Sequence, residues 1–365
     1  MNHELFIRRT IELAENGAGF VSPNPKVGAV IICDGKIIAE GWHSAFGKDH
    51  AELDAVKKAN RDNFKNCTIY VNLEPCSHFG KTPPCADMMI EKGFSRVVIA
   101  TEDPNPKVAG KGIKKLRDAG IEVITDICRE EALWCNRAFF KFHRQGVPYT
   151  MLKIAQTIDG CIALESGESK WISSEESRMR THKLRGEYDA VLVGKTTAMK
   201  DNPLLTVRTV PGKNPLRVIT DTNLSLPLDI SLFKRDDNTA TVVCCSDEAS
   251  KSRKARNLSL SGINVLPIAK DQNGFLSLKE LQIALRDNFD ISSLMVEGGS
   301  GIFSSFIRQA LCDELQFFIA PKIFGKCLNP FSELKIDKMT SLYQFTLKSV
   351  EKCGTDIHAI LIKEQ

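Results

Sequence analysis

The chain has 365 residues, more than one hydrophobic core usually supports, so we expect two domains. Its 42% hydrophobic and 26% charged residues are typical of a globular protein and exclude a disordered or fibrous chain. The formal net charge of +4 is small for this length and gives no argument for nucleic-acid binding.

The start of the chain predicts an amphipathic helix. Charged residues such as Glu4 and Arg8 alternate with apolar Leu5 and Ile7, without the apolar core of a signal peptide or a membrane span. We therefore expect a cytoplasmic protein that does not contact a membrane.

Strand-like and helix-like runs then alternate. Asp34-Gly35 lies between two apolar runs and predicts a β-hairpin. The alternation as a whole predicts an α/β domain with a largely parallel far side. The predicted strands lie at 28–33, 36–41, 67–73, 96–101 and 121–124, and the predicted helices at 50–60, 86–92 and 110–119.

A Gly- and Pro-containing stretch at 143–149 marks the expected boundary, so we predict domains at 1–145 and 146–365. The second domain is again read as α/β, and its last strands predict antiparallel pairing at one sheet edge. Its predicted strands lie at 150–157, 188–194, 216–220, 240–245, 293–297, 314–320, 347–351 and 357–362.

Most of the twelve cysteines lie in apolar stretches. In a cytoplasmic chain such residues are more often small buried hydrophobes than disulfides. This interpretation applies to Cys33, Cys67, Cys128, Cys135, Cys161, Cys244, Cys245, Cys312, Cys327 and Cys353.

The remaining two cysteines belong to a motif with zinc chemistry. His50, Cys76 and Cys85 supply the three protein ligands of a catalytic zinc site, one Zn²⁺ per chain, whose fourth position holds water. Zinc lowers the pKa of that water, and Glu52 would carry its proton to a departing amine. The order matches the nucleobase-deaminase signature, except that the second cysteine follows the first by nine positions instead of three.

Simpler interpretations exist for each part alone. His50 alone is explained by helix capping, and a cysteine pair alone by buried packing. Four specific residue types in the deaminase order argue against chance. A closed structural zinc site needs a fourth ligand, and His78 is the only nearby candidate.

Two neighbouring loops suit a phosphorylated pyrimidine. Asn24, in the Pro-bracketed loop 22–28, offers a donor and an acceptor to a pyrimidine edge, although a simple turn also explains this loop. His78 and Lys81 lie between the cysteines, where they would grip a phosphate beside the metal.

Three segments of the second half suggest phosphate and cofactor handling. At 296–303 a predicted strand runs into Gly298-Gly299-Ser300-Gly301 and a helix, whose free N–H groups and dipole suit a pyrophosphate. A plain strand–helix turn explains this segment equally well, and the Rossmann fingerprint is missing. The other two segments are 201–208 and the basic run 178–185, which a solvated helix face also explains.

Together these motifs resemble the bifunctional deaminase/reductase family of riboflavin biosynthesis. The loop 22–28, His50-Ala-Glu52 and the segment 74–85 match its deaminase half, whose own pattern includes the long cysteine spacing. Segments 152–160 and 170–173 join those above in matching its reductase half. The resemblance implies an N-terminal cytidine-deaminase-like domain and a C-terminal dihydrofolate-reductase-like domain.

The resemblance also implies two reactions. Zinc-dependent hydrolysis removes the C2 amine of 2,5-diamino-6-ribosylamino-4(3H)-pyrimidinone 5′-phosphate as ammonia. NADPH then reduces the ribosyl group of 5-amino-6-(5-phosphoribosylamino)uracil to ribityl, by hydride transfer to C1′. The implied partners are small phosphorylated pyrimidines, with no nucleic acid and no membrane, and the expected assembly is a homo-oligomer, a dimer or a tetramer.

Site residues carry over from the family by matching position. Lys153 becomes the candidate catalytic residue at the reacting sugar, as Glu52 is in the first domain. The segment 222–227 matches loosely and is given nothing beyond a cofactor contact. Contacts with the deaminase substrate would come from Asn24, His78 and Lys81, and contacts with the reductase substrate from Ser169, Arg185, Leu205, Arg208 and Glu297. Contacts with NADPH would come from Ala155, Trp171, Thr197, Asp201, Gly299, Ser300, Gly301, Ile302, Phe303, Ser304 and Ser305.

Two other functions fit parts of the sequence. A tRNA or free-nucleoside deaminase with an unrelated C-terminal module would have the short cysteine spacing and basic or aromatic surfaces for RNA. A zinc-stabilised binding module with a decayed site would lack one of the chemical groups, whereas all of them are present.

Overall fold

The computed structural model describes residues 2–77, 83–106, 108–234 and 239–363. The chain divides into two units, Met1–Gly146 and Val147–Gln365, each built around its own sheet. Both are α/β, as the alternation of apolar patterns predicts.

The first unit is a five-stranded sheet with helices. Its elements in chain order are α1 (His3–Ala14), β1 (Gly28–Cys33), β2 (Lys36–Trp42), α2 (Ala51–Ala59), β3 (Cys67–Val71), α3 (Cys85–Glu91), β4 (Arg96–Ile99), α4 (Lys111–Asp118), β5 (Glu122–Ile124), α5 (Arg129–Cys135) and α6 (Arg137–Gln145). The strand order is β2-β1-β3-β4-β5. Pairing is antiparallel from β2 to β3 and parallel from β3 to β5, which confirms the predicted hairpin and the parallel far side.

Local sequence explains how this sheet begins. Every residue of β1 is buried, as its unbroken apolar run requires. Asp34 and Gly35 have φ of 49° and 76°, the left-handed values of a two-residue hairpin turn. Gly41 lets α2 pack directly on β2, because a methyl group there would lie 2.4 Å from the carbonyl oxygen of Ala51. That close packing places the start of α2 over the end of β2.

The second unit is a nine-stranded sheet with a separate two-stranded pair. Its elements are β6 (Tyr149–Thr157), β7 (Ala163–Leu164), α7 (Glu175–Glu187), β8 (Ala190–Gly194), α8 (Lys195–Asp201), β9 (Leu216–Thr220), β10 (Thr241–Cys245), α9 (Asp247–Ser250), α10 (Arg253–Leu260), β11 (Asn264–Pro267), α11 (Leu278–Phe289), β12 (Ser293–Val296), α12 (Ser300–Arg308), β13 (Glu314–Ala320), β14 (Cys327–Leu328), β15 (Phe345–Cys353) and β16 (Asp356–Lys363). The strand order is β11-β10-β9-β8-β12-β6-β13-β16-β15, with β14 and β7 paired apart.

All strands from β11 to β13 in this order run parallel, so their carboxyl ends meet at one edge. The strands β13, β16 and β15 pair antiparallel, which confirms the predicted sheet edge. The core of this unit is apolar and includes Leu152, Leu192, Val218 and Phe306.

Two disulfides correct the interpretation of four cysteines as reduced, buried residues. Cys33 and Cys67 face each other on β1 and β3, with their Cα atoms 4.3 Å apart. Cys161, after β6, is bonded to Cys327 of β14 across a Cα separation of 5.7 Å. The expectation rested on compartment alone, whereas the pairing of β1 with β3 and of β7 with β14 brings the two pairs within bonding reach. The other eight cysteines are free.

The helices of the described ranges include none that combines the length and the apolar character needed to span a membrane.

Candidate active sites

His50 immediately precedes α2, yet its side chain makes no hydrogen bond that caps the helix. Its Nδ1 lies 3.6 Å from Sγ of Cys76 and 3.4 Å from Sγ of Cys85. Cys76 follows β3, and Cys85 is the first residue of α3, whose backbone N–H donates to Sγ of Cys76 at 3.3 Å. Helix capping is therefore the wrong explanation for this histidine.

The three side chains form a donor set that fits zinc. Their ligand atoms all lie within 4.8 Å of one another, the only such cluster of metal-ligating groups in the described parts of the chain. Tetrahedral zinc has Zn–S bonds of about 2.3 Å and Zn–N bonds of about 2.1 Å. Bonds of these lengths place two ligand atoms about as far apart as Nδ1 of His50 is from the two cysteine sulfurs. Two thiolates and an imidazole are also soft ligands that zinc accepts.

The zinc-ligating residues differ in their protonation. Hydrogen bonding from Cys85 lowers the pKa of Cys76 to about 4, so Cys76 is the thiolate. Hydrogen bonding to Cys76 raises the pKa of His50 to about 9. Burial raises the pKa of Glu52, which is 3% exposed. A carboxyl group with a raised pKa is suited to taking up a proton and giving it away.

Asn24 is brought close to this set through His43. Nδ2 of Asn24 lies 3.2 Å from Nε2 of His43, whose ring packs edge-on against His50 at a centroid distance of 5.6 Å. Nδ1 of His43 lies 2.9 Å from the carbonyl oxygen of Asp49. Sequence reasoning missed His43. Its only signal is its place just after β2, close before His50.

Glu74, which precedes Pro75 and Cys76, is not one of the zinc-ligating residues and has a structural role. Its buried carboxylate accepts hydrogen bonds from the backbone N–H groups of Asp103 (3.2 Å), Gly110 (2.9 Å), Gly112 (2.9 Å) and Ile113 (3.2 Å). The carboxylate thus ties the end of β3, and with it Cys76, to the start of α4.

The remaining predictions for this unit concern His78 and Lys81. Both lie outside the described residues, and so does the tip of the loop that carries them.

A cavity of about 1710 Å³ opens at the carboxyl ends of the parallel strands in the second unit. Nearly all predicted reductase residues line it: Lys153, Ala155, Ser169, Trp171, Arg185, Thr197, Asp201, Leu205, Arg208, Glu297, Gly299, Ser300, Gly301, Ile302, Phe303 and Ser305. Ser304 is the exception, because its fully buried side chain lies on the inner face of α12.

A buried ion pair lies in this cavity. Arg185 donates to Glu297 through Nε at 2.5 Å and through Nη2 at 2.8 Å, and both side chains are about a tenth exposed (11% and 8%). Although burial raises the pKa of Glu297, the charge of Arg185 holds it below its ordinary value. Burial lowers the pKa of Lys153, which the charge of Glu297 opposes.

A second group surrounds Trp171, a residue that is 68% exposed. Arg178 lies over that ring at 4.9 Å, and Nζ of Lys322 donates to the Trp171 carbonyl at 2.8 Å. Ser169 donates to Asp201 at 3.4 Å. The cavity therefore offers an exposed aromatic face beside fixed polar groups, as a ligand with an aromatic ring and hydroxyl groups requires.

Family models match both units. Residues 1–101 match the cytidine and deoxycytidylate deaminase zinc-binding region, and residues 148–359 match the RibD C-terminal domain. The second match covers more than half of the chain. The chain belongs to the RibD family.

Full-length relatives agree. The riboflavin biosynthesis protein RibD of Aquifex aeolicus is 43% identical over 353 residues, 96% of each chain. That of Escherichia coli is 34% identical over 98% of each chain. A solved structure from Thermotoga maritima, a diaminohydroxyphosphoribosylaminopyrimidine deaminase/5-amino-6-(5-phosphoribosylamino)uracil reductase, superposes with a TM-score of 0.87 at 38% identity over 99% of each chain. RibD of Acinetobacter baumannii gives 0.89 at 34% identity, over 100% of this chain and 99% of that one.

Membership in the RibD family confirms the predicted fold class and activity. The protein is a bifunctional riboflavin biosynthesis enzyme with a cytidine-deaminase-like domain and a reductase domain of dihydrofolate-reductase-like fold. Its cofactors are zinc for the deaminase and NADPH for the reductase. It acts on small molecules, and the match of both halves to RibD argues against a tRNA or nucleoside deaminase with an unrelated C-terminal module.

Proposed function

We propose that the first unit deaminates 2,5-diamino-6-ribosylamino-4(3H)-pyrimidinone 5′-phosphate and that the second reduces the ribosyl group of the deaminated product. The observation that carries this proposal is the cluster of His50, Cys76 and Cys85 beside the buried Glu52. The Thermotoga maritima relative, described as the corresponding deaminase/reductase, supports the choice of substrates. The domains are assigned as 1–145 and 146–365.

In the deaminase, the donor set holds Zn²⁺, which supplies activation of water to a nucleophile at neutral pH. Glu52 takes the proton that water loses and delivers it to the departing C2 amine, which leaves as ammonia. The raised pKa of Glu52 suits both halves of this transfer. Asn24 binds the pyrimidine edge, and His78 and Lys81 bind the phosphate.

In the reductase, NADPH would supply hydride to C1′ of the sugar while the bond from C1′ to the ring oxygen breaks, and that oxygen takes up a proton to become a hydroxyl of the ribityl chain. The chain's own residues position the reactants. Arg208 binds the 5′-phosphate together with Arg185, because guanidinium groups pair phosphate oxygens in a bidentate manner. Lys153 contacts the reacting sugar from β6, and the N-terminus of α12 receives the coenzyme pyrophosphate.

A dimeric or tetrameric assembly and a cytoplasmic location complete the proposal. The chain has two disulfides, but eight of its twelve cysteines are free, among them the two zinc ligands, and this majority favours a reducing compartment. Light scattering of the purified protein gives the assembly state directly, and a monomer would contradict the proposal.

Replacing Glu52 by Gln tests the deaminase mechanism. Glu52→Gln retains zinc and lowers the rate of ammonia release by at least about 100-fold, since the proton shuttle is lost. Metal analysis and ammonia detection measure the two effects. Glu91→Gln, at the exposed end of α3, is the matched control and keeps both properties. Ammonia release near the wild-type rate in Glu52→Gln would contradict the assigned role.

A further inference from the structure

We infer that Lys195 binds the 2′-phosphate by which NADPH differs from NADH, and so sets the coenzyme preference of this enzyme. The inference rests on the proposed coenzyme site in the second unit. It concerns the end of the cavity to which sequence comparison assigned no specific contact, around residues 222–227.

The order of strands gives the direction in which the coenzyme lies. Lys153 on β6 and Glu297 after β12 mark the end where the sugar reacts, so the nicotinamide belongs there. Moving away from β6, the sheet continues through β12 and β8 to β9. At the sheet spacing of about 4.8 Å per strand, β9 lies roughly 14 Å from β6.

The pyrophosphate position falls between these ends. A methyl group on Gly298 would lie 2.8 Å from Thr197 Cγ2, so the glycine turn after β12 is in close contact with the start of α8. The lack of side chains at Gly298 and Gly299 leaves backbone N–H groups open to a ligand at the N-terminus of the nine-residue helix α12. The adenosine half then extends over the ends of β8 and β9.

Lys195 lies at that end. It is the first residue of α8, directly after β8, and its exposed side chain lines the cavity. A methyl group on the preceding Gly194 would lie 3.8 Å from Thr220 Oγ1, so the ends of β8 and β9 are side by side. Thr222 and Asn223, which follow β9, also line this part of the cavity and add neutral hydrogen-bonding groups.

Lys195 is also a cation without a partner among the described residues, unlike most basic groups lining the cavity. Lys200 is the other free lysine on α8, but it lies at Gly167, in the loop before Trp171, and not at β9. The engaged groups are Lys170 with the carbonyl of Asp201, Arg178 with that of Ser173, Arg185 with Glu297, Arg208 with Thr206, Lys270 with Glu248, and Arg308 with the carbonyl of Glu333.

Asp221, the acidic residue at the end of β9, does not present a free carboxylate that would repel a phosphate. A free carboxylate in this place would favour the 2′-hydroxyl of NADH. Asp221, however, is 1% exposed, and its two oxygens accept from Oγ of Ser225 at 3.0 Å and the N–H of Leu226 at 2.8 Å. Its carboxylate is committed to the following turn, so the free charge at the ends of β8 and β9 is that of Lys195.

Coenzyme titrations of Lys195→Gln test the inference. Removal of a charge-assisted contact raises the Kd for NADPH at least about tenfold and leaves the Kd for NADH within about twofold. Lys195→Arg retains most of the preference. Adenosine 2′,5′-bisphosphate, used as a probe without nicotinamide, loses affinity in parallel with NADPH, whereas adenosine 5′-monophosphate does not.

Lys213→Gln is the matched control, since it removes an exposed lysine in the loop that leads into the amino end of β9. An equal loss in Lys213→Gln, an equal loss for NADPH and NADH in Lys195→Gln, or no loss at all would overturn the role of Lys195. If the wild-type enzyme oxidised neither coenzyme with the uracil substrate, the proposed reductase site itself would be wrong.

Discussion

The two arginines proposed to bind the 5′-phosphate differ in how many of their N–H groups are already hydrogen-bonded within the protein. Arg185 donates from both Nε and Nη2 to Glu297, and its side chain is buried. Arg208 is exposed, and its one described hydrogen bond runs from Nη1 to Oγ1 of Thr206 at 2.9 Å. Its remaining N–H groups are therefore available to an incoming phosphate.

Arg208→Ala is predicted to raise the KM for the phosphoribosyl substrate at least about tenfold, because a charge-assisted phosphate contact is lost. The Kd for NADPH stays nearly unchanged. Steady-state kinetics and coenzyme titration measure the two effects, with Arg256→Ala on the exposed face of α10 as control. Equal losses in substrate use and coenzyme binding would argue against this assignment.

At the level of single residues, sequence was informative where chemistry is encoded within one short motif. His50, Cys76 and Cys85 were assigned because their types and order are specific, and the structure brings them together. The sequence indicates Glu74 only as a neighbour of Cys76 in the Glu74-Pro75-Cys76 segment. The backbone groups that donate hydrogen bonds to its carboxylate begin 29 positions later, at Asp103. Such long-range pairing is set by the fold and has no local signature.

At the scale of secondary-structure elements, the contact between β3 and α4 holds the zinc-ligand set in place. Glu74 joins β3 to α4 through four backbone N–H groups. Gly112 adds a steric requirement at the same junction, because a methyl group there would lie 2.1 Å from the carbonyl oxygen of Pro75. The position of Cys76 thus depends on the contact between these two elements.

Glu74→Gln is predicted to destabilise the first unit by about 3 kcal/mol, because an amide NH₂ group would face backbone donors that the carboxylate now satisfies. Urea unfolding followed by circular dichroism and zinc release measures the change. Glu102→Gln, an exposed carboxylate next to the same loop, should alter the free energy of unfolding by less than about 0.5 kcal/mol. Wild-type stability of Glu74→Gln would show that the four contacts contribute little.

Elements with long apolar runs were predicted to within a few residues. The strands β9 and β13 begin and end where the sequence indicates. The two-residue strands β7 and β14 and the half-exposed β11 were not found, since they are too short or too polar to show a period. The disulfide between Cys161 and Cys327 joins the loop before β7 to β14, so it was missed together with them.

At the scale of the whole molecule, the two chemistries use separate units and separate cofactors. The zinc-ligand set is made entirely by the first unit, and the cavity of about 1710 Å³ entirely by the second. This separation predicts that each activity survives the loss of the other's cofactor.

Removal of zinc by a chelator is therefore predicted to abolish ammonia release and to leave NADPH oxidation with the deaminated uracil substrate intact. Added Zn²⁺ restores ammonia release. Spectrophotometric assays of both reactions on the same chelated sample measure this. Parallel loss of both activities would contradict the assignment of one cofactor to each unit.

The most direct test of the account supplies the purified enzyme with the diaminopyrimidine phosphate, first without NADPH and then with it. We predict ammonia release in the absence of NADPH, followed by NADPH oxidation in proportion to the ammonia already formed. NADPH oxidation without prior ammonia release, or ammonia release that requires NADPH, would contradict two consecutive reactions at two sites.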